Sequence, residues 1–424
     1  MANTLKFGNG EWAIKEGSAL AYNDENNNFK PLPFDFTRAS TATYVAKDGL
    51  IKTAAINEPR IDFLDSTEGS LKIEPQSTNT VTYSEDFSNA YWIKNNTNVT
   101  VNAATAPDGN VTADFVYQNT ANSQHAIFHR GSVTNGLNYI LSYFVEYNGT
   151  QWVQLAGSTG FSLTDYVNFD ILNGVVGTVN GSPIDYGIED YGNGRYRIYL
   201  VQAAKSTTTA AIFPLSLLQG DTASRIPTFT GDGTSGVYLW GANCIQASYI
   251  TSYIPTSGAT ATRTQDTSQT TSSNIEAAIN GQEGVLFIDF DRLGLDFEDS
   301  WMGLYNGAVS SNFRVAILYR KDRIIGYVRV NGSWQAIMQY YGTWTMPRIK
   351  VALKYKANDF ALWVNGVEGA TDTSGSTFGT GVLDTINLGD YLTSSNPKFN
   401  SKINALAVYD TALTDSELET LTTL

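Results

Sequence analysis

Five carboxylates lie close together in the segment 288–299 of this 424-residue sequence: Asp289, Asp291, Asp296, Glu298 and Asp299. Two carboxyl groups at a set separation are enough to hydrolyse a glycosidic bond. Clustered carboxylate oxygens are also the ligands that calcium prefers. The segment therefore permits three interpretations: a hydrolytic acid pair, a calcium site built from Asp289, Asp291 and Asp296, or an acidic loop that is simply solvated.

The two histidines, His125 and His129, are the next residues that could do chemistry. Four positions apart in a strand, they would lie on one face and could hold a metal, but no cysteine and no clear carboxylate partner completes a ligand set. The alternative is a hydrogen-bonded pair at the surface or at an oligomer axis. A Ser-His-Asp triad would need one of these histidines, and no Gly-x-Ser-x-Gly motif precedes a helix. We therefore expect a protein that is not an enzyme.

Three tryptophans could present their rings to a carbohydrate. Trp152 alternates with polar residues in Gln151-Trp-Val-Gln154, and Trp334 and Trp363 each lie near an Asn-Gly turn, at hairpin ends where loops form binding surfaces. Aromatic rings offer flat apolar surfaces for sugar rings, while neighbouring polar groups bind the hydroxyls. The alternative for each of the three is packing in a core.

The elements that must position these residues are predicted to be β-strands. Apolar residues alternate with others in 137–147, 195–201 and 349–355, and the period of two indicates strands with one buried face. Asn331-Gly332 and Asn365-Gly366 separate strand-like runs and predict hairpins. We expect an all-β chain of antiparallel sandwiches.

The sequence predicts four regions. Residues 1–78 are rich in turns, with little apolar sequence for a core of their own. Residues 79–257 and 275–424 each carry enough alternating strands for a sandwich, and the Ser- and Thr-rich stretch 258–274 between them is typical of a linker. Near the C-terminus, Thr414 and Glu417 form the pattern of a capping box that opens a short helix.

Charge and composition exclude several function classes. The net charge of −14, with no cluster of basic residues, argues against nucleic-acid binding. No stretch reaches the roughly 20 apolar residues of a membrane span, and the start lacks the pattern of a signal peptide, so we expect synthesis in a cytoplasm. The single cysteine, Cys244, rules out an internal disulfide and is expected to be a buried, unreactive side chain.

Several phrases resemble a recurring N-terminal region of phage tail and fibre proteins. They are Phe34-Asp-Phe-Thr-Arg-Ala-Ser-Thr-Ala-Thr43, Asp48-Gly-Leu-Ile51, Glu58-Pro-Arg-Ile-Asp-Phe63 and Leu71-Lys-Ile-Glu-Pro-Gln-Ser-Thr-Asn79. Tyr83-Ser-Glu-Asp-Phe-Ser-Asn-Ala-Tyr-Trp92 and Ser252-Tyr-Ile-Pro-Thr-Ser-Gly258 resemble the opening and closing of a carbohydrate-binding-module-like jelly roll. The last 150 residues are similar to laminin G-like, concanavalin-type jelly rolls, although the Glu-x-Asp-x-x-Glu motif of concanavalin-type glucanases is missing.

The resemblance implies two jelly rolls in tandem on a phage virion, as a fibre or receptor-binding protein that attaches to host surface polysaccharide or glycoprotein. It also implies a homotrimer, with residues 1–78 docking to other virion proteins and the protein displayed on the virion surface. No cofactor is expected, apart from the calcium considered above. Two alternatives stay open: a polysaccharide depolymerase on the same fold, with acids drawn from 289–299, and a purely structural head-decoration fibre.

Overall fold

The structure, a computed structural model, describes residues 4–15, 18–23, 28–270, 279–292, 300–307, 312–342, 347–388 and 399–424. Nearly all regular structure in them is β-strand, so the predicted all-β fold is confirmed. The strands are β1 (Thr4–Gly8), β2 (Ala13–Lys15), β3 (Ser18–Asn23), β4 (Asn28–Thr37), β5 (Ala42–Val45), β6 (Ile51–Ala54), β7 (Ile61–Asp62), β8 (Ser70–Ile73), β9 (Ser77–Asn79), β10 (Ile93–Asn95), β11 (Thr97–Thr105), β12 (Val111–Gln118), β13 (Asn122–Ser123), β14 (Ala126–Val133), β15 (Asn138–Asn148), β16 (Trp152–Ala156), β17 (Tyr166–Asp170), β18 (Val175–Asn180), β19 (Asp185–Asp190), β20 (Arg195–Ala203), β21 (Thr208–Leu218), β22 (Phe229–Thr230), β23 (Gly236–Ile245), β24 (Ala261–Arg263), β25 (Thr267–Thr270), β26 (Glu283–Arg292), β27 (Ser300–Tyr305), β28 (Arg314–Arg320), β29 (Arg323–Val330), β30 (Ser333–Tyr341), β31 (Arg348–Lys356), β32 (Phe360–Val364), β33 (Val367–Asp372), β34 (Thr385–Asn387) and β35 (Ser401–Tyr409). The helix α1 spans Asp415–Thr422, and the predicted capping box at Thr414 and Glu417 opens it.

The chain divides into two compact units, whose boundaries differ from the predicted ones. The central unit comprises residues 42–53 and 76–263, and the C-terminal unit comprises 1–41, 54–75 and 264–424. Most of the predicted N-terminal segment thus belongs to the C-terminal unit. Three of its strands also have partners hundreds of residues away, where no local pattern shows them: β1 and β8 pair with β35, and β4 pairs with β25.

The C-terminal unit is a two-layer antiparallel sandwich. One layer pairs β33, β32, β31, β26 and β35 in that order, and β1 and β8 both pair with β35. The other layer runs β30, β29, β28, β27, β34, β25, β4 and β3. A large hydrophobic core fills the space between them.

Strands from the first 75 residues complete this core instead of forming a separate module. Leu5, Phe7, Ile61, Leu71 and Ile73 are all buried in it. The apolar side chains of this segment, which has little core of its own, thus pack within the same chain and do not require a second one to bury them.

The Ser- and Thr-rich stretch 258–274 also differs from its prediction as a linker. It contributes β24, which pairs with β9, and β25, which pairs with β4; residues 271–278 lie outside the described residues. Large apolar residues are nearly absent there, so a search for hydrophobic patterns misses these strands, whereas Thr fits a pleated sheet well.

The central unit is a sandwich of two six-stranded antiparallel sheets. One sheet has the order β10-β14-β21-β16-β17-β18 and the other β11-β12-β23-β15-β20-β19. Tyr139, Leu141, Tyr143 and Val145 of β15 face the shared core, as the alternation predicts. Cys244 is buried beside them, and burial raises the pKa of its thiol to about 12, so it is an unreactive core residue as expected.

Candidate functional site

Of the three tryptophans predicted to bind a sugar, Trp334 is the most exposed, and it lies on the outer face of the β27–β30 layer. Trp334 lies at the start of β30, directly after the predicted Asn331-Gly332 turn, whose two residues both have positive φ (47° and 80°), as a type I′ hairpin requires. The side chain is 42% exposed. Turn and strand therefore place a large ring in solvent at the end of a rigid hairpin.

A β-bulge puts Trp334 on this outer face. Ala336 and Met338 point into the core, so strict alternation would turn residue 334 inward as well. The register shifts between Val328 and Arg329, and Trp334 then pairs with Arg329. Gln335 is the extra residue of the bulge, so Trp334 faces outward although it lies two positions before the inward-facing Ala336.

Two more rings pack beside Trp334. Tyr327 lies 5.2 Å from it between ring centroids, at an angle of 40°. Trp301 stacks on the other side of Tyr327, with centroids 5.3 Å apart and planes 20° apart. The three rings, from β27, β29 and β30, form one continuous aromatic surface across the sheet.

Two guanidinium groups complete the group, which we term the arginine–aromatic cluster (Trp301, Arg314, Tyr327, Arg329 and Trp334). The Cζ atoms of Arg314 and Arg329 lie 4.8 and 4.9 Å from the Trp334 ring centroid, within cation–π range. Arg314 also lies 5.4 Å from the Trp301 ring. Arg329 Nε donates to Gly332 O at 2.9 Å, which ties this side chain to the turn.

Sequence reasoning found Trp334 but missed the other four members of the cluster. The sequence pattern could have identified three of them, because Arg314, Tyr327 and Arg329 alternate with the buried Val315 and Val328 along β28 and β29. Alternation identifies outward-facing residues, but only strand pairing shows that residues from β27, β28, β29 and β30 lie next to one another.

Trp152 lies half-buried in the central unit, on the outer face of its β16-containing sheet. Its ring rests against Gly177, where any Cβ would collide with both the ring and Asp221. Asn168 Nδ2 donates to Asp221 O at 2.6 Å, and Gln154 Oε1 accepts from Ile226 N at 2.7 Å, so the loop 221–226 is fixed beside the ring. This ring and carboxylate form a smaller candidate sugar site.

Trp363 is placed in a core instead of at a surface. It is 7% exposed and packs with Leu418 of α1 in a second, smaller hydrophobic cluster of the C-terminal unit. The adjacent Asn365-Gly366 turn forms as predicted, with both φ values positive. A ring in this position cannot stack on a sugar unless the helix moves.

Two of the three residues of the predicted calcium site, Asp289 and Asp291, lie in the described part of the chain. Asp289 is 2% exposed and accepts two hydrogen bonds from Arg348, from Nε at 2.8 Å and Nη2 at 2.6 Å. Asp291 accepts from Asn404 Nδ2 at 2.9 Å, and burial together with the charge of Asp289 raises the pKa of Asp291. Asp296 lies outside the described residues, as do Glu298 and Asp299. A guanidinium therefore occupies the position beside Asp289, and the calcium site stays a prediction.

The two histidines do not share a ligand in the central unit. His125 places Nδ1 2.8 Å from Asn96 O and Nε2 3.2 Å from Phe229 O. His129 is fully buried among aromatic rings. Across the described ranges, no three His, Cys, Asp or Glu side chains are placed to share a metal ion.

A second aromatic surface, missed in the sequence, lies in the central unit. Phe115 and Tyr117 of β12 stack with centroids 4.9 Å apart, and Tyr238 of β23 lies 5.5 Å from Phe115. Val116 between the first two is in the core, so the rings are on the outer face. No cationic side chain is recorded over these three rings in the described part of the chain, which distinguishes them from the arginine–aromatic cluster.

No family model matches the sequence, and no curated protein is similar to it. Parts of the chain are similar to solved structures. One is the CBM40 of the Ruminococcus gnavus IT-sialidase bound to alpha2,3 sialyllactose, with 19% identity over 34% of this chain and 84% of that one, at a TM-score of 0.29. Another is domain 4 of AbnA, a GH43 extracellular arabinanase from Geobacillus stearothermophilus, in complex with arabinotriose (18% identity, 38% and 73% coverage, TM-score 0.25). A third is the LG4-5 pair of the mouse laminin alpha1 chain (9% identity, 70% and 92% coverage, TM-score 0.22). With TM-scores of 0.29 or less, these similarities assign neither a fold family nor a function to this chain.

Among the described residues, no helix is both long and apolar enough to span a membrane.

Proposed function

We propose that this chain is a glycan-binding protein that does not turn its ligand over. The observation that carries the proposal is the exposed Trp334 ring, held beside Tyr327 and two arginines on a rigid sheet. An apolar ring with hydrogen-bond donors at its edge is what recognition of a sugar needs, since the sugar has an apolar face rimmed by hydroxyls. A flat sheet face buries little of a ligand, so we expect a single-site dissociation constant of about 10 μM to 1 mM.

We further propose that the protein acts on a phage virion surface, as a fibre or receptor-binding protein that attaches to host glycans. Support comes from the sequence phrases that resemble phage fibre proteins. Docking to other virion proteins and assembly as a homotrimer belong to the same proposal.

Binding of the intact protein to host cells or host polysaccharide tests the proposed function. Trp334→Ala should weaken binding about tenfold or more, because the stacking surface is lost, while the melting temperature changes little, because the ring is half in solvent. Tyr147→Ala is the matched control: this aromatic residue of the central unit has a similar exposure, 40%, and lies outside the cluster. Unchanged binding of the Trp334 variant at unchanged stability would contradict a sugar site at this position.

The alternatives differ in what they release or bind. A depolymerase would liberate reducing ends from host polysaccharide, and the carboxylates at 289–299 would then need substitution to confirm their role. A structural decoration fibre would neither bind nor cleave. Reducing-end release measured beside cell binding therefore separates all three functions.

A further inference from the structure

We propose that the arginine–aromatic cluster recognises glycans bearing carboxylate groups, such as those of uronic or sialic acids. This inference rests on the proposed glycan-binding function and adds the chemical class of the ligand. It follows from the geometry of the guanidinium groups and from the local distribution of charge.

Stacking leaves the hydrogen-bonding edge of a guanidinium available. The group is planar, and its N–H donors lie in its plane, so a ring against one face does not use them. Arg329 lies over the Trp334 ring, and only its Nε has a recorded partner within the described part of the chain, Gly332 O. Its two terminal nitrogens form the fork that matches the two oxygens of a carboxylate.

The surrounding sequence concentrates positive charge on an otherwise acidic protein. Residues 300–341 contain Arg314, Arg320, Lys321, Arg323 and Arg329 and a single acidic residue, Asp322, while the whole chain carries −14. The four arginines lie on the same two strands, β28 and β29. An anionic ligand is therefore repelled by much of the surface and attracted to this face.

A neutral sugar would use only part of this arrangement. Trp334 and Tyr327 offer the same stacking surface to neutral and acidic sugars, but only a carboxylate can accept two parallel hydrogen bonds from the guanidinium fork and also pair with its charge. A carboxylate should therefore raise affinity about tenfold or more over the matched neutral sugar, with the difference shrinking as salt screens the charges.

The test uses the full chain on a glycan panel in which each carboxylate-bearing glycan is printed beside its neutral counterpart, desialylated or carboxyl-reduced. We expect acidic members to be bound at least about tenfold more tightly than their neutral partners. Arg329→Gln should abolish most of that preference, and Arg329→Lys, which keeps the charge without the fork, should retain part of it. Arg130→Gln, which removes an exposed arginine of the central unit, controls for the change in net charge.

Each outcome is decisive. Equal binding of acidic and neutral partners overturns the acidic specificity, and a preference that survives Arg329→Gln overturns its assignment to the arginine–aromatic cluster. If neutral glycans are bound and binding depends on Trp334, the proposed function stands while this inference fails. If no glycan on the panel and no host polysaccharide is bound, the proposed function itself fails.

Discussion

His129 shows how a single residue couples this fold to pH. Its ring lies between Tyr91 and Phe213 with Trp92 at its edge, and neither ring nitrogen has a hydrogen-bond partner in the described residues. Desolvation by burial lowers the pKa of His129 from 6.5 to about 3. The neutral ring is thus required for the folded state.

We predict that His129→Phe makes the protein less sensitive to mild acid. The unfolded chain takes up a proton at His129 below about pH 6.5 and the folded chain does not, so this site's contribution to stability is complete above pH 6.5 and is lost as pH falls toward 3. The loss is about 1.4 kcal/mol per pH unit, or about 2 kcal/mol at pH 5. Phe fits the aromatic surroundings and carries no titrating group. Denaturant unfolding of both proteins at pH 7 and pH 5 measures the difference, and parallel losses in the two would refute it.

Two tryptophans show why the exposure of a single side chain could not be predicted from the sequence around it. Trp334 and Trp363 both neighbour Asn-Gly turns, yet one is exposed and the other buried. The difference arises from the bulge at Gln335 and from the packing of α1 over Trp363, and both depend on parts of the chain that no local sequence pattern includes.

At the scale of elements, a buried ion network joins segments of the C-terminal unit that are far apart in sequence. Arg60 Nη1 donates to Glu74 at 2.6 Å, and both Arg60 and Arg38 donate to Asp266. All four side chains are at most 3% exposed. Three of these residues, Arg38, Arg60 and Glu74, lie in the phrases that resemble phage fibre proteins, and in this chain they help to fix the N-terminal strands to β25.

We predict that Arg60→Met destabilises the C-terminal unit by about 3–5 kcal/mol, because the buried Glu74 loses the guanidinium it is paired with and the buried Asp266 loses one of its two. Lys52→Met is the matched control, since Lys52 pairs with Asp48 in the central unit at the solvent-exposed surface, where an ion pair contributes little to stability. Thermal unfolding followed by calorimetry compares the two. A similar small effect from both would mean that the network contributes little to stability.

Elements with strong local patterns were predictable, and those held by distant partners were not. The strands at 138–148 and 195–203, both Asn-Gly turns and the capping box follow from spacing alone. In β31, alternation identified the core face correctly. It assigned the opposite face to water, yet Lys354 is buried there and pairs with Asp359 and Asp415. Of the candidate site, only Trp334 was predictable. The arginines of the cluster lie on neighbouring strands, and the strand register that brings them to the Trp334 ring cannot be derived from local sequence.

At the scale of the whole molecule, the proposed attachment would depend on how many copies act together. Weak single sites become effective when several are engaged at once, and avidity can raise apparent affinity by about 100-fold or more. The resemblance to phage fibre proteins predicts a homotrimer, which would supply three arginine–aromatic clusters per particle appendage.

We predict three times the chain mass in light scattering at micromolar concentration. The N-terminal strands bury their apolar residues within their own chain, so trimer formation must come from other surfaces. Dilution should leave cell attachment unchanged until the trimer dissociates. A well-folded monomer at micromolar concentration would contradict the prediction.

The bulge at Gln335 has a consequence for how this binding surface can change over generations. The extra residue is taken up locally, so β30 pairs with β29 on both sides of it as a strand without the bulge would. Deleting Gln335 would place Trp334 directly before the inward-facing Ala336, and strict alternation would still turn the ring outward. The ring should therefore survive a one-residue change in length at position 335, whereas a substitution at position 334 removes it in one step.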